Sequence, residues 1–267
     1  MQLIHNNIVY NNNDKLFTVN NRALRFGDGL FETIKIVNSE ICFLEEHILR
    51  LKEGMTALKI DIPEYFNESY FKNKIIDLAK SNNALNLGRA RITVYRDSEG
   101  LYTPTNNNAG VVIEVSPLNY LSNSEINIGL FSEVKKHYSL FSRFKTLNCN
   151  INILAGVFKK ENNFDDCLIC NEKDNIIEAI SSNIFIVKNG AFITPPISDG
   201  CVDGIMRKNI INKINEKSYS VLEKSITKED ILSAEEMFLT NVIQGVVLVE
   251  NYGNKKYENN SIKKLIQ

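Results

Sequence analysis

Two side chains in this sequence have the types needed for covalent and proton-transfer chemistry. One is Lys145, in Phe144-Lys145-Thr146-Leu147-Asn148, and the other is Glu178, in Ile176-Ile177-Glu178. A lysine amine is a nucleophile towards a carbonyl carbon and, once released, a base that carries a proton. Glu178 stands just ahead of the apolar run Ser182-Asn183-Ile184-Phe185. A carboxylate there keeps its charge if a cation faces it. By position alone each has an ordinary reading: a solvated lysine at the edge of a predicted helix, and a strand-end carboxylate. Three further features concern an anion. Arg50 lies off the apolar stripe of its predicted helix, Gly204-Ile205-Met206-Arg207 opens another helix, and Phe238-Leu239-Thr240-Asn241 offers a hydroxyl donor. Unpaired N–H groups at a helix start bind phosphate readily.

The bulk properties limit what these residues serve. At 267 residues the chain is long enough for one large domain or two ordinary ones. A hydrophobic content of 43% and a charged content of 24% are those of a soluble globular protein. Net charge is −1 with Lys and Arg scattered, which argues against a nucleic-acid surface or a polybasic membrane anchor. No apolar run approaches bilayer-spanning length. Met1-Gln2-Leu3-Ile4-His5 has neither the basic start nor the apolar core of a signal peptide, so the expected location is the cytoplasm. Five cysteines, an odd number, fit a reducing compartment. Cys167-Leu168-Ile169-Cys170 has CxxC spacing but reads as a buried strand, and no second CxxC or His pair completes a metal set. His5, His47 and His137 are far apart, and no metal is expected. GxxxxGK[ST], GxGxxG and GxSxG signatures are absent.

The elements that must position these residues follow from periodicity. Residues 3–10 read as a strand, and 31–37 alternate apolar and polar as a half-buried strand does. Asn38-Ser39 makes a hairpin turn to a returning strand at 41–44. Over 45–58 the period changes: Ile48, Leu51, Met55 and Leu58 form a helical stripe, with Glu45 and Glu46 at its dipole-positive start. A second helix is predicted over 67–80, and strands over 89–96 and 110–115. Pro117 and the polar residues after it suggest a linker. Beyond it, strands are predicted at 126–131, 167–170, 184–187, 192–194, 218–223, 237–240 and 245–250. Helices are predicted at 148–160 and 204–216, and a short one begins at Thr227-Lys228-Glu229-Asp230 with a capping-box pattern. Phe26-Gly27-Asp28-Gly29 reads as a turn needing positive φ, or as a close approach of backbone to a ligand. The mixture is that of a two-domain mixed α/β protein.

Taken in order, Arg22-Ala23, Phe26-Gly27-Asp28-Gly29, Glu46-His47-Ile48-Leu49-Arg50-Leu51, Lys145-Thr146-Leu147-Asn148 and Asn241-Val242-Ile243-Gln244-Gly245 resemble the class IV, or fold-type IV, pyridoxal 5'-phosphate (PLP) enzymes. These include branched-chain aminotransferases, D-amino-acid aminotransferases and aminodeoxychorismate lyases, and the resemblance spans nearly the whole chain. It implies a D-amino-acid aminotransferase-like fold, with a small N-terminal α/β domain (1–118), a linker (119–125) and a larger cofactor-binding C-terminal α/β domain (126–267). It also implies that Lys145 is the Schiff-base lysine and Glu178 the partner of the ring nitrogen. Arg50, the N–H groups of Ile205 and Met206, and Thr240 would hold the phosphate. Ser181, Asn183 and Asn241 would complete the cofactor site. The family often has threonine where this chain has Met206, so a side-chain phosphate contact is not expected there. Family members are homodimers, and a homodimer acting on a small-molecule amino substrate is implied here.

The reaction is less constrained. The chain lacks the Lys-Thr-Gly-Gly-Asn-Tyr form of branched-chain aminotransferases, and no Arg-x-His clamp of the D-specific enzymes follows Arg96. The resemblance leans to aminodeoxychorismate lyase, which makes 4-aminobenzoate and pyruvate for folate synthesis. The alternatives are transamination of branched-chain or D-amino acids and, more remotely, a non-catalytic PLP-binding protein. Phe31, Arg91 and Arg96 are the candidate substrate residues.

Overall fold

A computed structural model describes residues 1–119 and 125–266. The chain forms two compact units: Met1–Tyr120 with Phe144–Asn148, and Leu121–Arg143 with Cys149–Gln267. Most of the linker expected at 119–125 lies outside the described residues. The division also corrects the sequence reading, because the short segment carrying Lys145 belongs to the first unit. Among the described residues no helix is long and apolar enough to cross a membrane.

In the first unit the elements are β1 (Gln2–His5), β2 (Ile8–Asn11), α1 (Arg22–Phe26), β3 (Gly29–Val37), β4 (Glu40–Ile41), α2 (Leu44–Ala57), α3 (Glu68–Ser81), β5 (Leu87–Arg96) and β6 (Ala109–Pro117). The strands form one antiparallel sheet in the order β2-β1-β6-β5-β3-β4. The expected strand over 3–10 is a hairpin, turned by Asn6 and Asn7 at φ 46° and 71°, values that asparagine tolerates. The returning strand is cut to Glu40–Ile41 because Phe43 takes a left-handed φ of 55° and Leu44 already starts α2. One face of the sheet buries Ile34, Ile36, Ile92, Val94, Ile113 and Val115 against Ile48, Leu51 and Met55 of α2 and Phe71 and Ile75 of α3. Side chains alternate along each strand. The other face therefore carries Phe31, Thr33 and Lys35 of β3, in register with Thr93, Arg91 and Arg89 of β5.

The buried face of β3 also holds a charge. The Glu32 carboxylate is 2% exposed and accepts from Arg50 Nε at 2.7 Å, Arg50 Nη2 at 2.6 Å and His47 Nδ1 at 2.7 Å. Burial works against its ionisation, but the Arg50 charge and the bonds from His47 and Arg50 outweigh it and hold the carboxyl at about 2. For His47 burial wins over Glu32 and depresses the pKa, so the imidazole is neutral. Nδ1 then carries the hydrogen, and the buried Nε2, a bare lone pair, has no hydrogen-bond partner.

The second unit comprises β7 (Glu125–Lys136), α4 (Asn150–Glu161), β8 (Asp166–Asn171), β9 (Ile176–Ala179), β10 (Asn183–Lys188), β11 (Ala191–Thr194), α5 (Ile205–Glu216), β12 (Val221–Glu223), α6 (Lys228–Ser233), β13 (Glu236–Asn241), β14 (Gly245–Tyr252), β15 (Lys255–Lys256) and α7 (Asn260–Ile266). The sheet runs β12-β11-β10-β13-β14-β7-β8-β9, and a β9–β10 pairing at Asn183↔Glu178 closes six of these strands into a ring. Ile126, Ile128, Leu168, Ile184, Ile186, Leu239, Val247 and Val249 fill its interior. Phe185, Val187 and Phe238 face outwards beneath α5 and α7, and Cys167 and Ile169 beneath α4. Cys167 and Cys170 thus lie on opposite sides of β8, and the CxxC spacing makes no redox pair. The expected capping box at Thr227 and Asp230 is present. α1, β9, β15 and α7 were not anticipated.

The Glu32 cluster makes acid stability a test of this packing. An unfolded Glu32 titrates near 4.5, so its contribution is complete above that pH and is lost as pH falls towards about 2. Glu32→Gln leaves the buried Arg50 cation without its counter-charge. It should cost about 3–5 kcal/mol in urea unfolding at pH 7, and the decline in stability across that acid window should vanish from the variant's profile. Wild-type stability in the variant would show that Arg50 does not depend on Glu32.

Candidate active site

Lys145 lies on an extended segment, two backbone bonds from β3. The Phe31 N–H donates to the Lys145 carbonyl at 2.8 Å and the Leu147 N–H to the Gly29 carbonyl at 2.9 Å, with a bridge between Leu30 and Thr146. The predicted helix begins only at Asn150. Phe144, buried in the first unit's core, anchors the segment from its other side. Gly29 is required by close approach, not by φ: a Cβ there would lie 2.3 Å from the Val94 carbonyl oxygen and 2.8 Å from Leu147 Cδ1. The positive φ of this turn is at Gly27, which caps α1 at 62°.

This arrangement brings Lys145, Phe31 and Arg91 together. Lys145 Nζ is 5.2 Å from the centre of the Phe31 ring, and the Arg91 guanidinium carbon is 3.8 Å from it. All three side chains are half-buried. An aromatic face attracts cations, so Phe31 orients two positive groups at the start of β3.

Arg96 does not join them. Its Nε donates to Asp28 at 3.0 Å, Nη1 to the Lys59 carbonyl at 2.9 Å and to Asn107 Oδ1 at 2.5 Å, and Nη2 to the Leu58 carbonyl at 2.7 Å and to Asp28 Oδ1 at 3.4 Å. A guanidinium has five N–H donors, and all are taken. Arg22 binds the same Asp28 at 2.8 Å and the carbonyls of Gly100 and Leu101. The two arginines therefore tie the 97–108 loop to α1 and α2. Arg96, expected at the substrate, is instead engaged by these groups in the described residues.

In the second unit, Glu178, Asn183 and Thr240 form one cross-strand row over β9, β10 and β13. Residues paired across antiparallel strands share a face, and the row lies on the outer face, like Phe185 and Phe238 beneath α5. Glu178 is 3% exposed. Its Oε1 accepts from Lys136 Nζ at 2.8 Å and its Oε2 from the Val202 N–H at 2.9 Å. Asn183 Nδ2 donates to the Val202 carbonyl at 2.8 Å. A Cβ on Gly204 would fall 1.8 Å from Asn183 Oδ1, so only glycine lets this turn cross the row. Gly204 then caps α5 with no side-chain hydrogen bond to the first turn, where Ile205 and Met206 stand. Thr240 Oγ1 is buried and has no hydrogen-bond partner. Asn241 Nδ2 binds Ser182 Oγ at 2.9 Å and Gln244 Oε1 at 2.8 Å, and Ser181 is exposed.

The profile of class IV aminotransferases matches residues 29–252. This chain belongs to the class IV aminotransferases. Members of this family are PLP-dependent enzymes, and the family includes both aminotransferases and lyases. The chain is 26% identical to the aminodeoxychorismate lyase of Vibrio harveyi, over 85% of this chain and 84% of that protein. It is 24% identical to the D-alanine aminotransferase of Bacillus licheniformis, over 93% and 87%. The crystal structure of a branched-chain aminotransferase from Thermoproteus uzoniensis with norvaline matches 99% of this chain and 92% of its own, with a TM-score of 0.91 at 23% identity.

The row of Glu178, Asn183 and Thr240 fits a phosphorylated pyridine. Two inter-strand spacings separate Glu178 from Thr240, roughly 10 Å. That is the scale of a ring with a phosphate arm. The row offers a carboxylate at one end and, at the other, an orphaned buried hydroxyl beside a helix start. Lys136, Val202 and Glu32 escaped the sequence reading. Lys136 lies beyond a bulge in β7, where register with β8 jumps from Phe131↔Ile169 to Lys136↔Asn171 and no periodicity survives.

Thr240→Val keeps the shape and removes the hydroxyl. It should weaken PLP binding about ten- to a hundredfold, the worth of a hydrogen bond to a charged group. Stability of the PLP-free protein should stay level or rise, since an unpartnered buried hydroxyl costs free energy. Equilibrium dialysis and thermal unfolding read the two effects separately. Undiminished PLP affinity would remove Thr240 from the phosphate site.

Proposed function

We propose that this class IV enzyme is a lyase that removes pyruvate from 4-amino-4-deoxychorismate to give 4-aminobenzoate, a step that serves folate synthesis. The observation that carries this reading is the charge on the open face of the first unit's sheet. Arg91 lies there over Phe31, with Lys35 and Arg89 further along the same face and Glu114 the carboxylate in register with Arg91. A substrate with two carboxylates suits a cationic face. A branched aliphatic side chain would desolvate those charges with no return.

Bound PLP supplies an electron sink for the bonds at the substrate's amine-bearing carbon. The chain's residues supply the rest. Lys145 Nζ would hold the cofactor and, when free, would take the proton from the amine-bearing carbon of the substrate and give a proton to the enolpyruvyl group, which leaves as pyruvate. Glu178 holds the proton of the ring nitrogen. Thr240 and the N–H groups of Ile205 and Met206 bind the phosphate, and the resemblance to the family gives Arg50, its guanidinium set by Glu32, a phosphate-binding role as well. Asn183 and Asn241 act through the turns they hold, and Phe31 and Arg91 meet the substrate. The resemblance to the family supports a homodimer.

The test is an assay for 4-aminobenzoate from aminodeoxychorismate, paired with amino donors (glutamate, leucine, D-alanine) while the visible absorbance of bound PLP is followed. Product should form, and the donors should leave the absorbance in place. Rapid bleaching by a donor with no 4-aminobenzoate would replace the lyase with a transaminase. Lys145→Ala should lose the absorbance and about 10²–10⁴-fold in turnover, the range of a general base. Full turnover in that variant would discard Lys145.

A further inference from the structure

The Glu178 carboxylate has a cationic partner of its own before any ligand is considered. Lys136 Nζ stands 2.8 Å from Oε1, with side-chain exposures of 16% for the lysine and 4% for the glutamate. The same Nζ reaches the Ser142 carbonyl at 3.4 Å. The bulge that ends the regular part of β7 delivers Lys136 to this place. The Val202 N–H fixes the other oxygen at 2.9 Å. A carboxylate has about four lone-pair sites, so two donors leave others for a further partner. Nearby lies the Cys201 thiol, which burial and then the Glu178 charge push up to about 12, with Arg207 and Asp203 also acting on it. Asp203 is itself paired with Arg143 at 3.0 Å and Lys208 at 2.9 Å. Among the described residues, Lys136 is therefore the cation in direct contact with Glu178.

We propose that Lys136 is a positioning residue for Glu178: it fixes the carboxylate's orientation and, by sharing its negative charge, sets how firmly Glu178 holds a proton on a bound ring nitrogen. The inference rests on the reading of Glu178 as the ring-nitrogen partner. Its physical basis is that an ion pair divides the carboxylate's attraction between two cations. A carboxylate facing only the ring would hold the ring proton more tightly. One that also faces an ammonium at 2.8 Å holds it less tightly. The strength of the electron sink is then adjusted by a residue that need not touch the cofactor. The ammonium also prevents Glu178 from being a lone buried charge in the absence of cofactor.

The experiment loads the full-length holoenzyme with PLP carrying ¹⁵N in its ring and follows the nitrogen resonance as a function of pH. Wild type is compared with Lys136→Gln, Lys136→Met, Lys136→Arg and Glu178→Gln. Removing the ammonium should move the resonance towards the protonated form and raise its titration midpoint by about one pH unit or more, the effect of an opposite charge at contact distance. Lys136→Arg, which keeps the charge, should retain wild-type behaviour. Gln and Met remove the charge with different side chains, so a folding defect in one leaves the other to report. An unmoved resonance in the charge-removing variant overturns the role of Lys136, provided Glu178→Gln moves it. An unmoved resonance in Glu178→Gln instead overturns the assignment of Glu178 itself.

Discussion

Two backbone hydrogen bonds, from Phe31 N–H to the Lys145 carbonyl and from Leu147 N–H to the Gly29 carbonyl, hold the Lys145 segment in register with β3. Much of the first unit's architecture makes them possible. β4 pairs only with Ile36 and Val37, which leaves the opening edge of β3 able to take another chain segment. Gly29 lets that segment and β5 approach from two sides. Phe144 secures the approach with apolar burial, and the lysine itself stays half-buried. A side chain carried on a strand-like backbone has few ways to drift, and catalytic groups must be held within fractions of an ångström.

Buried charge follows a common rule in both units: each carboxylate near the proposed chemistry is paired with a cation of its own unit. Glu32 faces Arg50, Asp28 faces Arg22 and Arg96, Glu178 faces Lys136, and Asp203 faces Arg143 and Lys208. Such pairs add little net stability, because desolvation offsets most of the attraction, but losing one partner is costly. Their value is orientation. The bidentate grip of Glu32 fixes the plane of Arg50, and the saturation of Arg96 fixes a loop. Arg91, five residues before Arg96 on the same strand, stacks on an aromatic ring at the open face instead. Two arginines that look alike in sequence thus do different work, and only the donors' partners separate them.

What the sequence disclosed follows the range of the interactions involved. Local periodicity marks β3, α2, α3 and α5, and a local capping box marks α6. β9 escaped because it is four residues long and buried at every position, so it shows no alternation. Lys145 was read as a helix-edge residue because the partners of its segment, Phe31 for Lys145 and Gly29 for Leu147, are more than a hundred positions away. Lys136 was invisible for the same reason, with a bulge added. The cysteine pair was read correctly as a strand, and the opposite faces of its two thiols supply the reason it is inert.

The cofactor half and the substrate half of such an enzyme differ in how they are written. Gly204-Ile205-Met206, Thr240-Asn241 and Lys145-Thr146-Leu147-Asn148 are contiguous words, because a phosphate or a ring is gripped by one turn, one helix start or one strand end. The open face of the first sheet is assembled differently. Lys35, Arg89, Arg91 and Glu114 come from three strands, one residue in two, and share a surface only through the register Lys35↔Arg89, Thr33↔Arg91 and Arg91↔Glu114. A shift of one residue in any strand would turn its members to the core. On the proposed function, substrate preference resides in pairing rather than in motif.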